Sequence, residues 1–304
     1  MKDSIIRRKI MFGTQKVETT GVDLTGVMAC LLLPSLRDDF GGDGEWFSLS
    51  KEQEFVLSLL ASADSSDILC TPGLDTISSW NYQEINQFLQ EHGFNIQLSP
   101  FDGLGMASVL KFALTWQFEG NQQLITTNRQ RYSGFELDIP QNQIYVFDVQ
   151  GTRLVRMKTA NDYTIYFVLD QTSQAPPLDF SAKMIDLIDE AITKMSVYAD
   201  YSWTKLILPD VSLDIKPDIS ALLGMYTHDQ GHNRYALTQA KQQIRFSMDY
   251  TGAQYESATA MAATLGGTPQ EKVLLVDKPF YMGIGTPELG FPTIFLHIGY
   301  DSWL

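Results

Sequence analysis

The chain has 304 residues, 36 acidic against 22 basic, and a net charge of −14. That balance excludes a nucleic-acid binder, whose affinity rests on neutralising phosphates, and a peripheral anchor on an anionic membrane face. Hydrophobic residues at 44% and charged residues at 19% exclude a disordered chain or a coiled coil, and the length suffices for a sizeable core. Aromatic residues at 12% suit a β-rich interior.

In chain order, Arg7, Arg8 and Lys9 precede no long apolar run, which makes a poor signal peptide, and the apolar run 27–33 is too short to span a bilayer. Residence in the cytoplasm, or export without a classical signal peptide, is the expectation. The run 27–33 reads as a buried helix or strand end. Residues 38–45 form an acidic, Gly-rich loop whose spacing does not match a calcium-binding EF-hand. Helical spacing of Phe55, Val56, Leu59 and Leu60 predicts a helix over 51–63. A second helix is predicted over 81–92, with Ile85, Phe88 and Leu89 on one face and Gly93 as its cap.

Strand patterns then take over, at 107–118, 144–149, 163–169, 205–215, 243–248, 273–284 and 293–299. An amphipathic helix over 179–198 interrupts them. The whole reads as a single α+β domain, 1–304, dominated by antiparallel sheet. Cys30 and Cys70 exclude a disulfide-dense scaffold. They read as two buried reduced thiols, with one bridge left open because sequence does not give the Cα geometry.

Signals of catalysis are weak. Gly103-x-Gly105 and Gly283-x-Gly285 lack a complete phosphate-binding motif. His228 and His232 flank a glycine and have no third ligand, so they read as an exposed pair rather than a zinc site. His297 lies in an apolar strand and reads as a satisfied core histidine. There is no Gly-x-Ser-x-Gly elbow and no Cys–His pair at a recognised spacing. No enzyme activity, metal or cofactor is expected.

Ordered matches over 85–300 nevertheless resemble the serpin family. Ile85-Asn-Gln-Phe-Leu resembles the family's Ile-Asn-x-Trp-Val helix, with Phe88 in place of Trp. The segment 108–116 resembles the strand Asn-x-x-x-Phe-x-Gly-x-Trp, with Ser108 at the Asn position and Trp116 at the Trp position. Segment 163–170 is similar to the apolar strand that ends in Leu-Pro, 208–225 to the family's Leu-Pro…Leu-Gly stretch, and 277–280 to x-Arg-Pro-Phe. The resemblance implies a serpin-like fold with mostly antiparallel sheets, helices packed around them and an exposed reactive loop near the C-terminus. It leaves 1–84 as a reduced, poorly matched helical region.

It also implies a function. Inhibitory serpins offer the loop as bait; after cleavage the loop enters the main sheet as a strand and carries the acylated protease with it. Fourteen extended residues span roughly 45 Å. The corresponding loop is 252–272, with a hinge formed by Gly252, Tyr255, Glu256, Ser257, Ala258, Thr259 and Ala260. Two registers, anchored at Gly252 or at Glu256, differ by two residues and so put the same side chains inward. Most inward residues are small, but Tyr255 is bulky and should slow insertion. The scissile region is Leu265, Gly266, Gly267 and Thr268. Leu265 is the residue there that fills an apolar specificity pocket, implying a chymotrypsin-, elastase- or subtilisin-like target. The implied partner is a serine, or else a cysteine, protease, with no nucleic acid or membrane and a monomer by default.

Ser108 and Trp116 belong to the implied sheet-opening region. Two features depart from the family pattern: its Phe-Ser-Pro-x-Ser helix start is absent, and Gln242, or Ile244 in the other register, stands where a histidine is expected. The alternative to inhibition is a non-inhibitory serpin-like interaction module.

Overall fold

The computed structural model describes residues 18–40, 45–140, 143–149, 151–169, 175–193, 199–252, 272–289 and 291–304. Its first part holds β1 (Thr20–Asp23), α1 (Leu24–Leu32), α2 (Lys51–Ser62), α3 (Ser65–Leu69), β2 (Leu74–Ser79), α4 (Tyr82–Glu91) and β3 (Gly105–Leu110). Next come β4 (Gly120–Thr127), β5 (Gln130–Asp138), β6 (Ile144–Val149), β7 (Thr152–Lys158), β8 (Thr164–Val168) and α5 (Pro177–Thr193). The last part holds β9 (Lys205–Pro209), β10 (Val211–Ile215), β11 (Tyr226–His228), β12 (Arg234–Ala236), β13 (Ile244–Met248), β14 (Val273–Leu275), β15 (Phe280–Gly285) and β16 (Pro292–Ile298). Helices and mainly antiparallel sheets confirm the α+β class.

Local chemistry explains the helix ends. The Asp23 side chain accepts from the Gly26 amide and starts α1, and Ser50 does the same for α2 through the Gln53 amide. Asn81 caps α4 by accepting from the Gln83 amide. At the other end Gly93 takes φ +85, and the Phe94 amide returns to the Leu89 carbonyl at 2.9 Å. That closure needs a residue in left-handed conformation, which glycine adopts without a Cβ penalty.

The largest sheet runs β1-β16-β15-β8-β7-β6 and is antiparallel throughout. Its central strands β15 and β16 are buried at every residue, because both faces are covered. Leu178, Phe180, Met184 and Ile188 of α5 pack on one face with Val22, Met28 and Phe295. The other face (Val155, Phe167, Met282, Leu296) meets Phe135 and Leu206 of a four-stranded sheet, β14-β9-β5-β4, in which only β14 and β9 pair in parallel.

Three predicted strands are shorter or divided. The 107–118 pattern yields a strand only to Leu110, and Phe112, Leu114 and Trp116 continue inward without a ladder. The 205–215 pattern breaks at Asp210: β9 pairs with β5, and β10 pairs with β13 in another sheet. The 273–284 pattern breaks at 276–279, so that β14 and β15 also join different sheets. An apolar run reports burial but not which partner covers it. Cys30 and Cys70 are both free thiols, Cys30 half-buried and Cys70 exposed, rather than both buried.

His297 is fully buried, tilted against Tyr281 with ring centroids 4.4 Å apart. It differs from the expected satisfied histidine, since neither ring nitrogen has a hydrogen-bond partner of normal geometry. Burial therefore lowers its pKa, an effect only partly offset by the Glu18 backbone and the Asp301 charge. A neutral buried imidazole supports folding above its unfolded pKa of about 6.5, and that support is lost as pH falls. We predict that the melting temperature relative to His297→Phe drops between pH 7.5 and 5; a pH-independent difference would count against a neutral core imidazole.

Candidate functional site: a cleft between two half-sheets

Among the described residues β3 pairs only with β2, and β13 only with β10. β3 and β13 therefore each keep one edge without a ladder partner among the described residues. A cavity of about 470 Å³ lies between them, lined by Gly105–Leu110 on one side and by 242–246 on the other. Such edges carry backbone N–H and C=O groups ready to pair with an added strand.

The first turn of α1 forms the floor and holds both sides. Ser108 of β3 donates its hydroxyl to the Gly26 carbonyl at 2.8 Å, and the Cys30 thiol donates to the Ser108 hydroxyl oxygen at 3.4 Å. On the other side the Gln242 amide makes a two-point contact with the Asp23 backbone. Its oxygen accepts from the Asp23 N–H at 2.9 Å, and its nitrogen donates to the Asp23 carbonyl at 2.8 Å. Helix α1 thus bridges the two halves from the floor of the cleft.

The electrostatics of the floor follow from burial. Desolvation pushes the Asp23 carboxyl up to about 6, with the Gly26 and Thr25 hydrogen bonds opposing it. Desolvation likewise pushes the Cys30 thiol up to about 11, so it is a neutral packing group with no thiolate character.

At one end of the cleft, the chain leaving β13 is fastened to the segment after β3. The Trp116 indole, buried and 5.6 Å from the Phe135 ring, donates to the Asp249 carbonyl at 2.7 Å. Gly252 has φ +71 and lies so close to this segment that a Cβ would sit 2.9 Å from both the Leu114 oxygen and the Trp116 nitrogen. Any other residue there would face left-handed strain and a backbone clash.

Solved structures share this architecture. Human thyroxine-binding globulin in complex with thyroxine is 12% identical, covers 92% of this chain and 91% of its own, and superposes with a TM-score of 0.57. The thermophilic serpin tengpin in its native state is 12% identical over 93% of this chain and 88% of its own, at 0.57. Serpin48 of the insect Tenebrio molitor is 11% identical over 92% of both chains, at 0.54. The chain has the serpin fold. No family model matches the sequence, and no curated protein matches it. At identities this low, the likeness speaks for the fold and leaves activity to the site.

Within that serpin fold, Ser108 lies in the cleft wall, while Trp116 and Gly252 meet at its end. Tyr255, Glu256, Ser257, Ala258, Thr259, Ala260, Leu265, Gly266, Gly267 and Thr268 lie outside the described residues. Residues 18–84, which match the serpin pattern poorly, form β1, α1, α2, α3, β2 and the start of α4. Asp23 escapes sequence reasoning because Thr20–Asp23 is too short to show alternation. Gln242 is visible only as a departure from the serpin histidine; the structure gives that position its bidentate bond to α1.

Two outcomes follow. Gln242→Ala leaves the Asp23 N–H without its partner, while the Asp23 carbonyl keeps the first hydrogen bond of α1, and we expect a loss of about 1–3 kcal/mol in urea unfolding. Against Asp23→Asn, the wild-type protein should gain stability as pH falls below about 6, because its raised carboxyl pKa favours the protonated folded state at low pH. An Asp23→Asn protein with the same pH profile as wild type would sink the second expectation.

Proposed function

We propose that the protein is a serpin-type protease inhibitor, a suicide substrate rather than an enzyme. The observation that carries this reading is the cleft between β3 and β13, whose edges lack ladder partners and flank a single gap. The occupant would be the cleaved segment that follows Gly252. Its residues from Ser257 to Ala263 are mostly small and can alternate between sheet and solvent. Entry of that strand would replace two open edges with continuous ladders. The attacking enzyme would be a serine protease with an apolar pocket for Leu265, a cysteine protease being the other class.

The closeness of Gly252 to Leu114 and Trp116 supports the hinge assignment. A strand that enters beside β13 must turn back from the end of that strand, and a glycine with positive φ suits the reversal. The competing reading is a non-inhibitory serpin-fold interaction module. Its support is Tyr255, whose ring would have to enter the core at the start of insertion, at a cost of about 1–3 kcal/mol.

The test is incubation of the full chain with chymotrypsin, elastase and subtilisin. Inhibition predicts an SDS-stable complex, together with a higher melting temperature for the cleaved protein. Each kcal/mol gained raises the midpoint of a domain this size by about 1.5 °C. A nicked chain with unchanged melting temperature would favour the interaction module. Tyr255→Thr should raise the ratio of complex to nicked product; an unchanged ratio would count against Tyr255 as a hinge residue.

A further inference from the structure

The cavity does not end at the clamp between the half-sheets. One face of α1 follows it: Asp23, Gly26, Val27, Cys30 and Leu31 line it at helical spacing, and Pro34 continues the line past the helix end. Asp23 and Gly26 belong to the floor of the cleft. Leu31, about 12 Å further along the helix axis, belongs with Pro34 to a second lobe. Its other walls are Phe40, Trp46, Leu222 and Thr227, and all six residues are buried from solvent. The Trp46 side chain brings a donor to this lobe, and that donor is satisfied by the Leu31 carbonyl at 2.7 Å.

The Thr227 hydroxyl is different. Thr227 is the middle residue of β11, and strand alternation sends its neighbours Tyr226 and His228 to the outer face. There Tyr226 stacks on Phe47 with ring centroids 5.0 Å apart, and His228 meets the same ring edge-on at 5.5 Å. Arg234 of β12 covers Tyr226, 3.9 Å from its centroid. Thr227 is left facing the interior, 1% exposed. Among the described residues that line the cavity, its hydroxyl is the buried side-chain polar atom without a hydrogen-bond partner. Buried hydroxyls are normally paired, because desolvating one without a partner is costly. A β-branched residue suits a strand, but valine would fill the same space with no hydroxyl to desolvate.

We propose that this lobe is a binding site for a small neutral molecule with an apolar body and one hydroxyl or amide group, which the Thr227 hydroxyl engages. The walls suit that class. Leu31, Pro34, Phe40, Trp46 and Leu222 offer apolar surface without charge, and an apolar cavity with one placed polar group is the usual form of a small-molecule site. An anionic ligand is disfavoured, since the chain carries a net charge of −14 and Asp23 borders the same cavity. Leu237 marks the rim: it is half-buried, lines the cavity, and follows Tyr235, the register partner of Thr227, by two residues on the same face. The site belongs to the uncleaved chain and does not rest on strand insertion.

The experiment uses the full chain and two probes of nearly the same shape, benzyl alcohol and ethylbenzene, which differ in one group. Saturation-transfer NMR titrations read the affinity of each, and both should saturate. In Thr227→Val, benzyl alcohol should weaken about threefold or more relative to ethylbenzene, the worth of one hydrogen bond. Thr227→Ser keeps the hydroxyl and should stay near the wild-type ratio. Leu237→Trp, which fills the lobe from its rim, should weaken both probes about tenfold or more. Failure of both probes to saturate would overturn the site. An unchanged ratio in Thr227→Val would overturn the part given to the hydroxyl. Undiminished binding to Leu237→Trp would put the probes elsewhere and overturn the location. A second readout needs no ligand: Thr227→Val should melt no lower than wild type, because it removes an unpaired buried group. A lower melting temperature would mean that the hydroxyl is already paired within the protein, and the proposal would fail.

Discussion

The structure depends on one constraint: two half-sheets that do not pair with each other must still be held at a fixed separation. Helix α1 meets it with its first turn. It offers the Gly26 carbonyl to Ser108 and both backbone groups of Asp23 to Gln242. These are few bonds for a junction between β3 and β13, and they are local. A ladder would fix the halves along their whole length, whereas a clamp fixes them at one level and leaves the remaining edge groups to find other partners. The clamp is itself anchored, since β1, which leads directly into α1, pairs with β16 in the largest sheet.

The chemistry of the cleft follows from that arrangement. Backbone groups that border the cleft are met by amide and hydroxyl side chains: Ser108 at Gly26, Gln242 at Asp23, Gln239 at Ser99 and Asn86 at Leu98. Gln242, Gln239 and Asn86 each present an amide that both donates and accepts, which imitates a peptide group without committing the backbone. The carboxyl of Asp23 sits among them in a region too dry for full ionisation, so proton uptake near pH 6 changes the charge at the centre of the clamp. The fastening at the cleft end is different in kind. The Gly252 backbone lies close to that of Leu114 and Trp116, and the Trp116 ring donates to the Asp249 carbonyl, so the end of β13 is fixed while its edge is open.

Much of this was legible in the sequence. The helices over 51–63 and 81–92 appear within a residue or two, because capping side chains and apolar spacing act within a single turn. Strand patterns at 144–149, 163–169 and 293–299 also appear, since the buried positions of these strands are mostly apolar. The tight hairpin joining β4 to β5 passed unread. Its turn at Asn128 and Arg129 takes positive φ at both residues, and arginine gives no sign of that. The polar run before β13 was likewise silent. Alternate glutamine, lysine and arginine in an extended segment look like a solvated edge until residues 93–99 are placed opposite, where Gln239, Lys241, Gln243 and Arg245 bond their backbone.

The sequence by itself determined the α+β class, the ends of the capped helices and the ordered motifs that resemble serpins, because each depends on contacts within a few residues. Only the tertiary structure decided that 205–215 serves two sheets, that β3 and β13 stand apart, and that Asp23 and Gln242 hold them. The last of these joins residues 219 positions apart, and the others also link segments distant in sequence. Side-chain pattern records that a face is buried, but the energy that selects its partner comes from surfaces brought together by the whole fold.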